Sequence, residues 1–189
     1  MRWLLVLIFK WMGWKTQGDV PQNINKYIVA VAPHTSSWDF VIGILARSVL
    51  NIQSAKFIGK DSLFKPPLGW FFRAVGGYPV DRSGHRDMTD QIAHIFDQHE
   101  KFILGLAPEG TRKKVDKLKT GFYYIAKKAK VPIVPVGFDF SRKTVVVADP
   151  FYPTDDFDAD MKTLLIFYSG IKGKNKELGL SGQMPWERG

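Results

Sequence analysis

Apolar positions along this chain fall into short runs bounded by polar, glycine or proline breaks. They alternate with stretches in which apolar residues recur at helical spacing. Tyr27-Ile28-Val29-Ala30-Val31-Ala32 is a continuous apolar run and predicts a buried strand. Phe40-Val41-Ile42-Gly43-Ile44-Leu45-Ala46-Arg47 predicts a helix soon after it. Further strands are expected over 54–59, 77–80, 102–106, 132–138 and 143–147. Helices are expected over 68–75, over 84–98 with Ser83 as the cap, over 120–130 and over 155–171. This alternation predicts an α/β fold: a single domain with a mostly parallel mixed sheet flanked by helices. The domain is assigned to residues 16–173, and the polar, glycine-containing tail 174–189 is expected to be loosely held.

The segment 1–15 is set apart by its own pattern, MRWLLVLIFKWMGW followed by Lys15. Its apolar run of about 12 residues makes roughly 18 Å of helix against roughly 30 Å of bilayer hydrocarbon, too short to span unaided. Trp3, Trp11 and Trp14 with the cations Arg2 and Lys10 suit a helix lying in a membrane interface. Packing against the domain is the plainer alternative. A signal peptide is the third, although Gly13-Trp14-Lys15 is wrong for a cleavage site.

Composition narrows the chemistry. The chain has 189 residues and a formal net charge of +9, so its partners are expected to be anionic. Phosphate esters, acyl thioesters, anionic lipid headgroups and nucleic acid all qualify. There is no cysteine, which excludes disulfides, thiolate metal sites and a cysteine acyl-enzyme. No G-x-S-x-G elbow, phosphate-binding P-loop or dinucleotide-binding glycine motif occurs. His85, His94 and His99 have the wrong spacing for a metal trio, and the acidic stretch 155–160 lacks the glycine and glutamate of a calcium loop.

The candidate chemistry lies in Pro33-His34-Thr35-Ser36-Ser37-Trp38-Asp39, between the first buried strand and its helix. Groups at the carboxyl ends of strands are where α/β sheets bind ligands. Thr35, Ser36 and Ser37 can cap the helix, and Asp39 falls in its first turn, where a carboxylate is favoured. Asp39 can therefore accept a hydrogen bond from one ring nitrogen of His34, leaving the other to take a proton from a substrate hydroxyl. The same spacing also suits a helix cap beside an ordinary loop histidine. Three further stretches carry polar groups or prolines at strand ends: Gly76-Gly77-Tyr78-Pro79-Val80-Asp81-Arg82, Pro108-Glu109-Gly110-Thr111-Arg112 and Val131-Pro132-Ile133-Val134-Pro135-Val136. The last of these has two prolines, better suited to an edge or a strand start. Lys113, Lys114, Lys117 and Lys119 follow the second and can steer an anionic substrate.

These four stretches, in this order, resemble the four motifs of the glycerolipid acyltransferases, the family of 1-acylglycerol-3-phosphate acyltransferases. The likeness covers about residues 27–140. Pro33 stands where many members have asparagine, and Lys113 where many have serine, which leaves the acceptor open. The resemblance implies that a fatty acyl group moves from acyl-CoA or acyl carrier protein to a hydroxyl of lysophosphatidic acid or a related lysophospholipid. His34 would be the general base and Asp39 its orienting partner. Arg82 would hold the acceptor's phosphate, with Glu109, Gly110, Thr111, Arg112 and Lys60 also on the acceptor side. Trp70, Phe71, Phe72 and Lys119 would serve the acyl chain or donor. No metal or cofactor is implied beyond the thioester co-substrate. Membrane lipids are the expected partners, nucleic acid is not, and the expected location is the cytoplasmic face of a membrane, peripheral or monotopic. The alternatives are the same chemistry on another lyso-lipid, such as an amino-acid lipid, or a non-catalytic membrane- or nucleic-acid-binding module.

Overall fold

In a computed structural model that describes residues 2–80, 88–180 and 185–186 of the 189, the apolar runs become the strands of one sheet. The elements in chain order are α1 (Arg2–Trp11), β1 (Lys15–Gln17), β2 (Lys26–Val31), α2 (Trp38–Val49), β3 (Lys56–Lys60), α3 (Gly69–Ala74), β4 (Gly77–Val80), α4 (Met88–Asp97), β5 (Phe102–Leu106), α5 (Gly121–Ala129), β6 (Ile133–Asp139), β7 (Thr144–Val147) and α6 (Phe157–Ser169). Among the described residues the sheet has seven strands in the order β1-β7-β6-β2-β5-β3-β4. Every neighbouring pair is parallel except β6 and β7. The mostly parallel mixed sheet read from the sequence is thus present.

Strand β2 sits at the centre, with Tyr27 opposite Ile103 of β5 and Val29 opposite Val134 of β6. Its residues alternate between two cores. Ile28 and Ala30 join Leu104 and Ile133 under α4, α5 and α6, where Phe96, Tyr123 and Leu165 are buried. Tyr27 and Val29 join Val134, Val136 and Phe138 under α1 and α2, where Phe9, Ile42 and Leu45 are buried. A strand covered on both faces has no polar side, which is why it reads as one unbroken apolar run. The Tyr168 hydroxyl of α6 donates to the Ala30 carbonyl at 2.7 Å, tying that helix to the end of β2.

Several expectations are corrected. Strand β1 was not expected; it is polar and exposed, and backbone pairing with β7 is what forms it. Pro135 lies inside β6, a central strand buried throughout, rather than at an edge or strand start. Its missing N–H falls between the Ile133–Phe151 bridge and the Val136–Val147 pair, where the ladder to the neighbouring chain is broken. Ser37 occupies the cap position of α2 without a side-chain cap bond. The tail is held rather than loose where described: Asn175 bonds Thr35, Leu180 is buried in the core, and Trp186 bridges Leu118. The expected helix start at residue 84 and its cap Ser83 lie outside the described residues, and α4 is described from Met88.

Helix α1 packs on the domain along one side only. Phe9 is buried against the domain, and Trp14 just after the helix is buried too. Trp3, Leu4, Leu7, Ile8 and Trp11 on the same segment are exposed. No described helix is long and apolar enough to cross a membrane.

Candidate active site

Residues 32–37 carry the chain from β2 into α2, and the hydrogen bonds of Asp39 shape that loop. One oxygen, Oδ2, accepts the Thr35 N–H and the Ser36 N–H, both at 2.8 Å. The same oxygen lies 3.0 Å from His34 Nδ1. Three donors converge on it, and the side chain is only 2% exposed. A carboxylate fits here because two loop N–H groups point at it and the dipole of the helix start favours negative charge. The polarity of the cap is the reverse of that expected: the helix carboxylate reaches back to the loop, while Ser36 Oγ accepts only the Trp38 N–H, at 3.2 Å. With Nδ1–H committed to Asp39, Nε2 is the nitrogen able to take up a proton. The His34 side chain is 27% exposed, enough for a substrate to reach it.

Glu109 arrives from the loop after β5, the parallel neighbour of β2, so both loops emerge at the same edge of the sheet. Its Oε1 accepts the His34 backbone N–H at 2.7 Å. Its Oε2 is buried with no hydrogen-bond partner among the described residues. Burial pushes the Glu109 carboxyl up to about 7, while the hydrogen bond from the His34 N–H pulls the other way. The structure therefore places Glu109 behind the histidine backbone, where it grips the loop. Gly110 follows at φ +65°, and a Cβ there would meet the Lys119 side chain at 3.3 Å.

The remaining candidates divide. Arg112 Nη1 donates to Ser37 Oγ, which sets its guanidinium at the start of α2 beside the His34 loop. Thr111 is exposed and its Oγ1 accepts the Lys113 N–H at 3.3 Å. Glu109, Gly110, Thr111, Lys114, Lys117 and Lys119 line an open pocket of about 460 Å³. Lys60 ends β3 opposite Val80, the last residue of β4. Asp81 and Arg82 lie outside the described residues. Trp70, Phe71 and Phe72 form a run of aromatic contacts, with ring centroids 6.2 Å apart for Trp70–Phe71 and 5.6 Å for Phe71–Phe72. The first two are exposed, whereas Phe72 is half-buried with its ring 6.4 Å from Phe40 and 6.5 Å from Phe64. Among the described residues, no three His, Asp or Glu side chains come together as a metal-binding group. Sequence reasoning gave Ser37 only a capping role and missed it as the partner of Arg112, and it missed Asn175, which stands in none of the four stretches, as the partner of Thr35.

A family model described as acyltransferase matches residues 15–139, more than half of the chain. The chain belongs to the acyltransferase family. This acyltransferase is 30% identical over 120 residues to a 1-acyl-sn-glycerol-3-phosphate acyltransferase of Saccharomyces cerevisiae, covering 59% of this chain and 38% of the relative. It is 29% identical over 148 residues to a 1-acyl-sn-glycerol-3-phosphate acyltransferase of Streptococcus pneumoniae, covering 73% of this chain and 52% of the relative. The matched region thus spans about half or less of those relatives' lengths. The fold resembles the crystal structure of the 1-acyl-sn-glycerophosphate acyltransferase PlsC of Thermotoga maritima, with a TM-score of 0.58 and 21% identity over 86% of this chain and 73% of that one.

The Glu109 contact makes a prediction about stability. Its carboxyl titrates near 7 when folded and near 4.3 when unfolded. The folded state therefore holds an extra proton between those values. The contribution is fully present below about 4.3 and is lost as pH rises through 7, a loss of about 4 kcal/mol in all. Glu109→Gln keeps the acceptor for the His34 N–H and cannot ionise. Urea unfolding at pH 5, 6, 7 and 8 should show the wild type losing stability relative to Glu109→Gln up to pH 7. Parallel curves for the two proteins would contradict the burial argument.

Proposed function

We propose that this acyltransferase moves a fatty acyl group from an acyl thioester, acyl-CoA or acyl carrier protein, to a hydroxyl of lysophosphatidic acid. The single observation that carries the reading is the 3.0 Å contact of His34 Nδ1 with buried Asp39 Oδ2, which leaves Nε2 as the proton acceptor. The names of the yeast and pneumococcal relatives support the choice of acceptor. In the proposed reaction His34 Nε2 takes the hydroxyl proton as the acceptor oxygen attacks the thioester carbonyl carbon. Asp39 stabilises the imidazolium that forms. The tetrahedral intermediate collapses with cleavage of the C–S bond, and the departing thiolate takes the proton from the imidazolium. Arg112 supplies positive charge at the start of α2, next to the His34 loop. It suits a phosphate-bearing acceptor, and Arg82 joins it by its motif, while Lys119 over Gly110 stays on the donor side.

The acceptor is a membrane lipid, so the site must meet a membrane. Trp3, Leu4, Leu7 and Trp11 of α1, Trp38 at the start of α2, and Trp70 and Phe71 of α3 are exposed apolar groups suited to a lipid interface. The reading is peripheral attachment at the cytoplasmic face of a membrane.

Two measurements test this. Purified protein incubated with acyl-CoA or acyl carrier protein and a panel of lyso-lipids should release thiol fastest with lysophosphatidic acid. His34→Ala should lower that rate by about 10²–10⁴-fold. Fastest release with an amino-acid lyso-lipid would move the acceptor assignment, and normal turnover by folded His34→Ala would remove the mechanism. For the membrane, removing residues 1–14 would strip Phe9 and Trp14 from the core, so substitution of exposed positions is the cleaner probe. Trp11→Ser combined with Trp70→Ser should reduce flotation with anionic liposomes while leaving the urea midpoint nearly unchanged. Equal flotation by the folded double variant would count against these helices as the contact face.

A further inference from the structure

The segment following α6 lies beyond the region matched by the family model, which ends at residue 139. Yet it reaches the His34 loop. Asn175 Nδ2 donates to the Thr35 carbonyl oxygen at 2.9 Å, and the Asn175 N–H donates to Thr35 Oγ1 at 3.2 Å. Gly173 lies flat against the same loop: a Cβ there would fall 2.7 Å from Thr35 Oγ1 and 3.3 Å from Pro33 Cγ. Lys174 Nζ sits 4.6 Å from the centre of the Trp38 ring. The segment is anchored on both sides, by the Phe140 N–H to the Lys172 carbonyl at 2.9 Å and by buried Leu180.

The Thr35 carbonyl belongs to the same peptide group as the Ser36 N–H, and that N–H donates to Asp39 Oδ2. The hydrogen bonds therefore run in one direction as far as Asp39 Oδ2, where they meet the His34 Nδ1–H donating from the other side. Asn175 Nδ2–H meets the Thr35 oxygen; the Ser36 N–H of that peptide meets Asp39 Oδ2; Asp39 Oδ2 meets His34 Nδ1. A peptide group that accepts at oxygen donates more strongly at nitrogen, so such chains reinforce one another. Thr35 is also only 3% exposed, so loss of the amide would leave its buried carbonyl without that donor.

We infer that Asn175 is a positioning residue for the catalytic pair, acting through the Thr35–Ser36 peptide to fix Asp39 against His34. The tail is thus part of the site through its contact with the Thr35–Ser36 peptide. The inference rests on the acyl-transfer reading for its kinetic effect, but its geometric content is independent of turnover.

The test uses the full chain. Asn175→Asp keeps the shape of the side chain and replaces the donor to the Thr35 oxygen with an acceptor. Asn175→Ala removes the group. Either variant, shown folded by circular dichroism, should lose about 10- to 100-fold in kcat, since small misplacements near the chemistry cost that much. KM for lysophosphatidic acid should stay within about two-fold, because no phosphate contact is touched. In proton–nitrogen spectra of the histidine rings, assigned with His34→Ala, the His34 signals should move in Asn175→Asp while those of His94 and His99 stay in place. If folded Asn175→Asp keeps wild-type kcat and unmoved His34 signals, the positioning role is wrong although the acyl-transfer reading stands. If the wild type releases no thiol with any lyso-lipid, that reading fails, and the ring signals alone decide the positioning role.

Discussion

A carboxylate held 2% exposed at the start of a helix must find enough donors to keep its charge, and Asp39 finds three on one oxygen. Two are backbone N–H groups of its own loop, so the bonds that satisfy the charge also fold residues 34–36 around it. The third is the imidazole Nδ1 of His34. Desolvation makes the arrangement exacting, since an ionised group with a missing donor is costly in a buried place. The other oxygen, Oδ1, is already buried without a partner among the described residues. The geometry of the histidine therefore follows from the electrostatics of Asp39.

That local constraint is set into the sheet by neighbouring strands. Because β2 and β5 are parallel and adjacent, the loops leaving them meet at one edge. This is how Glu109, 75 residues away in sequence, comes to hold the His34 backbone N–H. The loop is thus gripped from within by Asp39, from one side by Glu109 and from another by Asn175. The exposed apolar groups of α1 and Trp38 at the start of α2 lie on the helices that cover one face of this sheet.

What could be read in advance was whatever is encoded locally. The unbroken apolar run before His34 announced a strand buried on both faces, and the interval from His34 to Asp39 announced a carboxylate one turn into a helix. Strand β1 had no such mark, because Lys15–Gln17 buries nothing and is held by backbone pairing. Pro135 argued for an edge, but a break in the ladder, visible only in three dimensions, removes the need for its N–H. The roles of Glu109 and Asn175 depend on contacts across 75 and 140 residues, which no local pattern records. Glu109 was noticed as chemistry, yet its partner turned out to be a backbone amide.

The central claim is that Asp39 and His34 act as one unit, and a double-mutant cycle measures that directly. Asp39→Asn keeps the shape of the side chain but is free to present its amide N–H to the imidazole and favour the wrong tautomer, so it should lower kcat strongly on its own. His34→Ala should lower it by a similar or larger factor. If the two work through one proton transfer, the double variant should be scarcely slower than His34→Ala alone, because the function of Asp39 is already gone. Losses that multiply in the double variant, with all three proteins folded, would mean that Asp39 and His34 contribute separately and would contradict the account.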